Sequence, residues 1–419
     1  MSGVMKIAVR KFGPFEQSIA EFWAQFCEET GCDLELEAIP MDLHPLYEAT
    51  LGATNGLASG DWDIALLNTD WISEAVETGA IVSLSPFMDQ NPPEGFPEAW
   101  SEALLKMQTF GGAAYGLPFH DGPECLVFRK DLIEDPAEQS AFRDRFGKAL
   151  KVPETWSELI EIATFFHRPE QNLYGTVVAG YPDGHNTVFD LCLQIWARGG
   201  SLTDDQGRVN IQHQAAEDAL SFYRTLFNSE NLLHPDSCEL DSVQAGLAFS
   251  RGEVAMMVNW FGFASMCEVD PGSKVKGKVD IAPVPAAEAD MKGVSLNAYW
   301  MYTIGSGSTN KQWAYEFIRF ATNAQNDKRL TLNGGIGCRK STWFDTEVNQ
   351  DIPYYHKLEA LHQNSKTLPR KSNWASISEV IDQLVLRVRD TQDDISALLA
   401  ESQQAINKIE NETVVPYGN

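Results

Sequence analysis

Over the first eighty residues, hydrophobic positions alternate with polar ones in some stretches and recur with a helical period in others. The clearest helical spacing (i, i+3, i+4, i+7) is that of Ile19, Phe22, Trp23 and Phe26. The predicted elements are a strand at 6–10, a helix through 19–26, a strand at 34–38, a helix at 46–58, a strand at 63–67 and a helix at 72–78. Strands that alternate with helices across short links predict a mostly parallel α/β sheet.

The pattern changes near residue 120, where the segment 115–123 is rich in glycine and proline and predicts a loop or crossing. A strand at 125–129 follows, and Thr155 with Glu158 predicts a capping box at the start of a helix. The later predicted elements are mainly helices up to about 265, strands at 279–284 and 298–304, a helix through Trp313, and a helix over 376–411. The chain therefore stays α/β throughout.

The length of 419 residues predicts two or three domains. The 59 acidic and 32 basic residues give a net charge of -27, which argues against nucleic acid and anionic membrane surfaces as partners. The longest nearly uncharged apolar stretch, 254–266, is too short to span a bilayer. Residues 1–10 lack the apolar core of a signal peptide, so we expect either a cytoplasmic protein or a mature exported form.

Motifs for catalysis, metals and cofactors are missing from the sequence. The eight histidines show no metal-ligand spacing, and the sequence holds no GxxxxGK[ST], HExxH or GxSxG string. The seven cysteines are scattered without a CxxC, which leaves only a Cys27–Cys32 pairing open. We therefore expect no metal site and no cofactor. A pair of carboxylates for glycoside hydrolysis stays open, because so many acidic residues make any one pair uninformative.

Two loops that follow predicted strands combine aromatic and polar side chains. Phe12 lies in the loop after the first strand, and Trp71 follows Asn68, Thr69 and Asp70 after the 63–67 strand. Ligands of open parallel sheets bind beyond the carboxyl ends of the strands. An aromatic ring beside hydrogen-bonding groups suits the C–H face and the hydroxyls of a sugar. These loops therefore predict a sugar site, and the alternative for Trp71 is a buried anchor at the start of its helix.

A series of short motifs resembles, in its order, the family 1 extracellular solute-binding proteins, the sugar-binding receptors of bacterial ABC importers related to maltose-binding protein. The motifs are Leu57-Ala58-Ser59-Gly60-Asp61-Trp62-Asp63-Ile64, Tyr115-Gly116-Leu117-Pro118, Pro153-Glu154-Thr155-Trp156, Gly199-Gly200-Ser201, Phe249-Ser250-Arg251-Gly252-Glu253-Val254-Ala255-Met256 and Gly334-Gly335-Ile336-Gly337 with Arg339. Cys338 stands where proline is common in the last motif. The resemblance covers roughly residues 5 to 410.

The resemblance implies a two-lobed α/β clamp of the periplasmic-binding-protein type with three interdomain crossings. The crossings are expected near 117–122, 284–286 and 337–340. One lobe would hold residues 1–118 and 285–337, and the other residues 119–284 and 338–419.

The implied function is to bind a mono- or oligosaccharide between the lobes by domain closure and to deliver it to the permease of an ABC importer. The protein would be a periplasmic monomer with no enzymatic activity, no cofactor and no nucleic-acid partner. Two alternatives are a glycan-active enzyme and a cytoplasmic sugar sensor that uses the same cleft.

The family's ligand positions, carried over to this sequence, are Phe12, Asp70, Trp71, His120, Asp121, Trp260, Asn297, Tyr299, Trp300 and Arg339. Tyr299 and Trp300 alternate on a strand, so one of them points into the packing, and Trp300 is favoured for the ligand. Structural alternatives are an N-cap for Asp70, a lobe-to-lobe salt bridge for Arg339 and turn capping for His120 and Asp121. Trp196 has the spacing of a helix core residue.

Overall fold

The computed structural model describes residues 3–413 and divides into two α/β units. Unit 1 comprises the chain up to Gly122, Ala298–Glu359 and Arg370–Ser372, and unit 2 comprises Pro123–Asn297, Ala360–Pro369 and the chain from Asn373 onward. The outermost residues of the two predicted lobes, 1–2 and 414–419, lie outside the described residues.

Two of the expected crossings differ from these unit boundaries. Residues 284–286 lie inside unit 2, where the backbone N–H of Ala286 donates to Glu154 and the carbonyl of Ala286 accepts from Trp156. Residues 337–340 lie inside unit 1, where the backbone N–H groups of Cys338 and Arg339 donate to the Asp327 carboxylate. These hydrogen bonds hold the first segment in unit 2 and the second in unit 1. The glycine and proline content of the sequence does not reveal such hydrogen bonds.

The helices and strands follow in three stretches of the chain. The first holds β1 Val4–Arg10, α1 Gly13–Thr30, β2 Glu35–Met41, α2 Leu43–Thr50, α3 Gly56–Ser59, β3 Ile64–Asn68, α4 Ile72–Glu77, α5 Ser85–Met88, α6 Glu102–Met107, β4 Thr109–Phe110, β5 Ala113–Ala114 and β6 Leu117–His120. The second holds β7 Glu124–Arg129, α7 Lys130–Ile133, α8 Pro136–Phe146, α9 Trp156–Phe166, β8 Tyr174–Val177, α10 Asn186–Ala197, α11 Gln214–Phe227, α12 Ser242–Ser250, β9 Val254–Trp260, α13 Phe261–Val269, β10 Val279–Ala282 and β11 Ser295–Leu296. The third holds β12 Trp300–Ile304, α14 Lys311–Ala321, α15 Ala324–Leu332, α16 Lys340–Trp343, α17 Thr346–Asp351, α18 Leu358–Gln363, β13 Ser365–Lys366, α19 Trp374–Asp390 and α20 Ile395–Thr413.

Unit 1 is built on a five-stranded sheet in the order β2-β1-β3-β12-β6. β1 pairs in parallel with β2 and β3, whereas β12 runs antiparallel to both β3 and β6. The predicted apolar face of α1 is buried on this sheet, and the ring of Trp23 lies 5.0 Å from that of Phe317 on α14. The helical period of the sequence therefore marks the face that covers the sheet.

Unit 2 is built on a four-stranded sheet in the order β10-β7-β9-β8. β8 runs parallel to β9, and β7 runs antiparallel to β9 and β10. The strands are buried and apolar, and Trp156 on α9 packs in the hydrophobic core beside them. Trp196 on α10 is buried, as its helix spacing predicts.

Some local predictions differ from the structure in detail. The helix predicted over 46–58 is divided into α2 and α3, because Asn55 between them has a left-handed φ of 41°. The helix predicted over 376–411 is likewise divided into α19 and α20. Thr155 accepts from the N–H of Glu158 as expected, and the Glu158 carboxylate reaches back to the backbone N–H groups of both Glu154 and Thr155.

Within residues 3–413, no helix has the length and hydropathy needed to cross a membrane.

Candidate functional site

Unit 1 brings five of the predicted site residues to one edge of its sheet. β1, β3 and β6 all run in one direction and end at Arg10, Asn68 and His120. β12 runs the opposite way, so its first residue, Trp300, lies across from both Asn68 and His120. Phe12, Asp70 and Trp71 follow the ends of β1 and β3, which places them at this same edge. We call this the unit 1 edge.

The unit 1 edge is lined mainly by aromatic rings. The ring centroid of Phe12 lies 6.3 Å from that of His120. The Trp71 ring lies 5.8 Å from the Trp300 ring at an interplanar angle of 87° and 5.4 Å from the Tyr47 ring. Edge-to-face pairs of this kind stabilise each other beyond simple burial. Trp71 is buried, while Phe12 and Trp300 are only partly buried and keep part of their surface exposed.

His120 is held as a neutral ring. The backbone N–H of Ile336 donates to its Nδ1 at 2.9 Å, so the proton of the neutral imidazole is on Nε2. Burial lowers the pKa of His120 to about 4, and the nearby Asp121 opposes this only in part. At neutral pH the unit 1 edge therefore presents an imidazole without a charge.

One acidic side chain at this edge is already held by a hydroxyl group. The Tyr47 hydroxyl donates to the carboxylate of Glu74 on α4, with both oxygens 3.0 Å away. Burial raises the pKa of Glu74, the hydrogen bond from Tyr47 lowers it, and Asp70 raises it. Sequence reasoning missed both Tyr47 and Glu74, because their proximity depends on the packing of α2 against α4.

Several predicted site residues have structural partners inside their own units. The guanidinium of Arg339 is buried, lies 4.5 Å from the centre of the Trp100 ring and donates to the backbone carbonyls of Thr322 and Glu94. These contacts replace the lobe-to-lobe salt bridge considered for Arg339. The structure gives a framework role to a residue that the resemblance marked for ligand binding.

Tyr299 and Asn297 are also held in place by neighbouring groups. Tyr299 is fully buried, and its hydroxyl donates to the backbone carbonyl of Leu104. The neighbouring Trp300 keeps partial exposure, as the strand alternation predicts. Asn297 belongs to unit 2, is 1% exposed and has its Nδ2 3.3 Å from Nδ1 of His362. Asp121 is buried as well, and its backbone N–H donates to the carbonyl of Ile336.

Unit 2 has its own edge, formed where β8 and β9 end and β7 begins. Trp260 is the last residue of β9 and is paired with Glu124, the first residue of β7. Trp260 is partly buried, and its ring lies 5.6 Å from that of Phe189 on α10, at an angle of 89°. The side-chain oxygen of Asn259 accepts from the N–H of Trp260, which fixes the turn into α13. We call this the unit 2 edge.

The unit 2 edge carries a buried carboxyl group directly opposite its tryptophan. Glu124 is 5% exposed, and its Oε2 has no hydrogen-bond partner among the described residues. Burial raises the pKa of Glu124 well above its usual range, and Asp190 raises it further. An unpartnered buried oxygen is costly, which makes Glu124 a candidate for binding a ligand hydroxyl. Sequence reasoning missed Glu124, because only its strand register brings it opposite Trp260.

Asp190 lies on α10 one residue after Phe189. Its pKa is raised to about 8, mainly by burial. The Tyr223 hydroxyl donates a hydrogen bond to Asp190 at 3.5 Å, which lowers the pKa, and the charge of Asp183 raises it slightly. Asp190 also lines a small cavity of about 30 Å³ together with Gln194 and Tyr223, which is room for one or two water molecules.

No group of three or more His, Cys, Asp or Glu side chains within residues 3–413 is placed to hold a metal ion.

Comparisons with known proteins agree with this architecture. The family model for bacterial extracellular solute-binding proteins matches residues 13–328. A probable ABC transporter-binding protein of Deinococcus radiodurans is 23% identical over 371 residues, which is 87% of this chain and 82% of the relative.

Two solved structures share the fold along almost their whole lengths. Maltose-bound MalE3 of T. maritima is 22% identical, with a TM-score of 0.83 over 97% of this chain and 100% of the other. A solute-binding protein of Agrobacterium radiobacter K84 in complex with ribitol is 23% identical, with a TM-score of 0.84 over 97% and 99% of the two chains. The two-lobed α/β fold expected from the sequence is therefore confirmed, and this chain belongs to the bacterial extracellular solute-binding protein family.

Proposed function

We propose that this protein binds a sugar or a polyol and delivers it to the permease of an ABC importer. The observation that carries the proposal is that each unit presents partly exposed aromatic rings beside hydrogen-bonding groups at the strand ends of its sheet. Aromatic faces bind the C–H surface of a sugar, and carboxyl or imidazole groups bind its hydroxyls. The two related structures hold maltose and ribitol, which supports a polyhydroxylated ligand for this protein.

The proposed ligand contacts are the residues that keep exposure or unpartnered polar atoms. In unit 1 they are Phe12, His120, Trp300 and, beside them, Asp70. In unit 2 they are Trp260, Glu124 and Asn297, the last two for a buried side-chain oxygen that has no hydrogen-bond partner among the described residues. Trp71 and Asp121 would support these contacts, since each is nearly enclosed by its own unit. Tyr299 and Arg339 are left out, because their polar groups bind backbone carbonyls.

The mechanism we propose is non-covalent. Ligand binding would draw the two lobes together, and the permease would bind the closed form. The protein would act as a monomer in the periplasm, in keeping with the extracellular family to which it belongs.

Calorimetric titration with maltose, glucose, mannitol and ribitol tests the proposal, with an uncharged amino acid as the negative control. We expect saturable binding of at least one sugar or polyol and no loss of that compound over hours of incubation. Small-angle scattering at saturating ligand should show a smaller radius of gyration than without ligand. Turnover of a glycan would favour the enzyme alternative, and an unchanged scattering profile would refute domain closure.

A further inference from the structure

The end of helix α1 places two cysteines beside each other. The helix ends at Thr30, and Gly31 takes a left-handed conformation with a φ of 71°. The backbone N–H of Gly31 donates to the carbonyl of Cys27 at 2.9 Å. Helix endings with a left-handed glycine are frequently accompanied by a side-chain contact between the residue four before the glycine and the residue after it. Those two positions are Cys27 and Cys32.

Both side chains lie on the same apolar surface of unit 1. Cys32 is 7% exposed and belongs to the hydrophobic core, and the partly buried Cys27 packs against that core. The pKa of the Cys27 thiol is raised to about 11, by burial first and then by the charge and the hydrogen bond of Cys32. Cys32 therefore contributes to the raised pKa of Cys27, in agreement with the closeness that the helix ending favours.

The other cysteines have different surroundings. Cys125, Cys192, Cys267 and Cys338 are buried, and Cys238 is exposed. For Cys192 and Cys267, whose pKa values are also raised, the neighbouring charges that raise them are carboxylates rather than another thiol. Cys27 and Cys32 are therefore the pair to examine.

We propose that Cys27 and Cys32 form a disulfide bond when the protein folds in an oxidising compartment. Oxidised glutathione, the co-reactant, accepts two electrons and two protons from the thiols and leaves as two molecules of reduced glutathione while one S–S bond forms. The bond would join the last turn of α1 to the approach to β2 and so stabilise unit 1. Its partly buried position and the scarcity of thiolate at Cys27 suit a structural disulfide formed during folding rather than a fast redox sensor.

The test is to refold the full chain with reduced and oxidised glutathione, block free thiols with N-ethylmaleimide under denaturing conditions, and measure the intact mass. We expect five of the seven cysteines to be labelled after oxidation and all seven after reduction. Glu28 and Glu29 lie between the two cysteines, so glutamate-specific cleavage separates Cys27 from Cys32 unless the disulfide holds the fragments together.

Three variants assign the bond. In Cys27→Ser and in Cys32→Ala, oxidation should no longer protect two cysteines from N-ethylmaleimide. The control Cys238→Ser, at an exposed cysteine, should still show two protected cysteines after oxidation. Oxidation should raise the melting temperature of the unmodified protein by about 5 °C and leave that of Cys27→Ser unchanged. Full labelling of the refolded protein, or a linkage mapped to other cysteines, would overturn the proposal. Mapping the disulfide by glutamate-specific cleavage uses the unmodified chain, so it tests the Cys27–Cys32 bond even if Cys32→Ala fails to fold.

Discussion

The two edges of this protein occupy equivalent places in their sheets and yet differ in chemistry. At the unit 1 edge, rings pack on rings, the imidazole of His120 is neutral, and Glu74 is held by Tyr47. At the unit 2 edge, the Trp260 ring packs edge-to-face against Phe189 beside Glu124, whose Oε2 has no hydrogen-bond partner within residues 3–413. Unit 1 thus offers mainly a surface of packed aromatic rings, whereas unit 2 places one partly exposed ring beside an acid whose pKa is raised well above its usual range.

The two edges should respond to pH through different groups. A buried base and a buried acid both favour their neutral forms, but they do so over different pH ranges and with opposite signs. Asp190 and His120 should therefore change the stability of the protein with pH in opposite directions.

The largest effect is expected at Asp190. Its pKa is raised to about 8 in the folded protein, mainly by burial, whereas an unfolded aspartate titrates near 3.8. The fold therefore stabilises the protonated acid, and this stabilisation is complete below about pH 4 and is lost as the pH rises towards 8. The unmodified protein should therefore lose stability over this range, whereas the Asp190→Asn variant, which cannot ionise there, should not. We expect the difference in the free energy of unfolding to shift in favour of the variant by on the order of 3–5 kcal/mol between pH 4 and pH 8.

Urea unfolding across that pH range measures the effect. Asp205→Asn, at an exposed position in the same unit, is the matched control and should leave the pH profile unchanged. If the difference between Asp190→Asn and the unmodified protein stays flat with pH, Asp190 is ionised in the fold and the contrast between the edges loses its electrostatic basis.

The next effect is the reverse one at His120. Its pKa is lowered to about 4 in the fold by burial, against an ordinary value of 6.5. The stabilisation from the neutral ring is present above about pH 6.5 and is lost as the pH falls towards 4, on the order of 3 kcal/mol. His120→Asn preserves an acceptor for the N–H of Ile336 and should remove this acid-side loss.

The same urea experiment from pH 8 down to pH 4 tests this prediction. His44→Asn, at an exposed histidine of unit 1, provides the comparison and should keep the profile of the unmodified protein. A loss of stability in acid that is identical in His120→Asn and the unmodified protein would place the titrating group elsewhere.

The third effect concerns ligand affinity at the unit 2 edge. Trp260 is the partly exposed aromatic residue there, so Trp260→Ala removes most of the apolar contact that this edge offers. We expect affinity for the sugar or polyol to fall by about 2 kcal/mol, roughly 30-fold, with little change in the melting temperature of the ligand-free protein. Met291→Ala, at an exposed apolar residue of unit 2, should bind like the unmodified protein in calorimetry. An affinity within twofold together with a large loss of stability would make Trp260 a core residue.

The sequence predicts this architecture better than it predicts the site. Alternation correctly separated the buried Tyr299 from the partly exposed Trp300, and strand ends located Phe12 and Trp71. These inferences need only local alternation and the positions where strands end. Local patterns therefore identify the unit 1 edge.

Other residues depend on contacts that are distant in sequence. Glu124 gains its candidate role from its register with Trp260, 136 positions later, and Arg339 gains its framework role from carbonyls at Thr322 and Glu94. Family position alone does not distinguish an arginine that reaches a ligand from one that packs on Trp100. Tertiary packing decides such residues.

The smallest effect is expected for Trp300→Ala at the unit 1 edge. Trp71 and Phe12 remain there after the substitution and keep part of the aromatic surface, so affinity should fall by only about 1 kcal/mol, roughly fivefold. Trp300 also packs against the core of unit 1, so the ligand-free protein should lose about 1–2 kcal/mol of stability, unlike Trp260→Ala. Phe344→Ala, at an exposed ring of the same unit, controls for the loss of any surface aromatic residue. Calorimetry and urea unfolding on the same samples separate the two effects, and a larger affinity loss in Trp300→Ala than in Trp260→Ala would reverse the contrast between the edges.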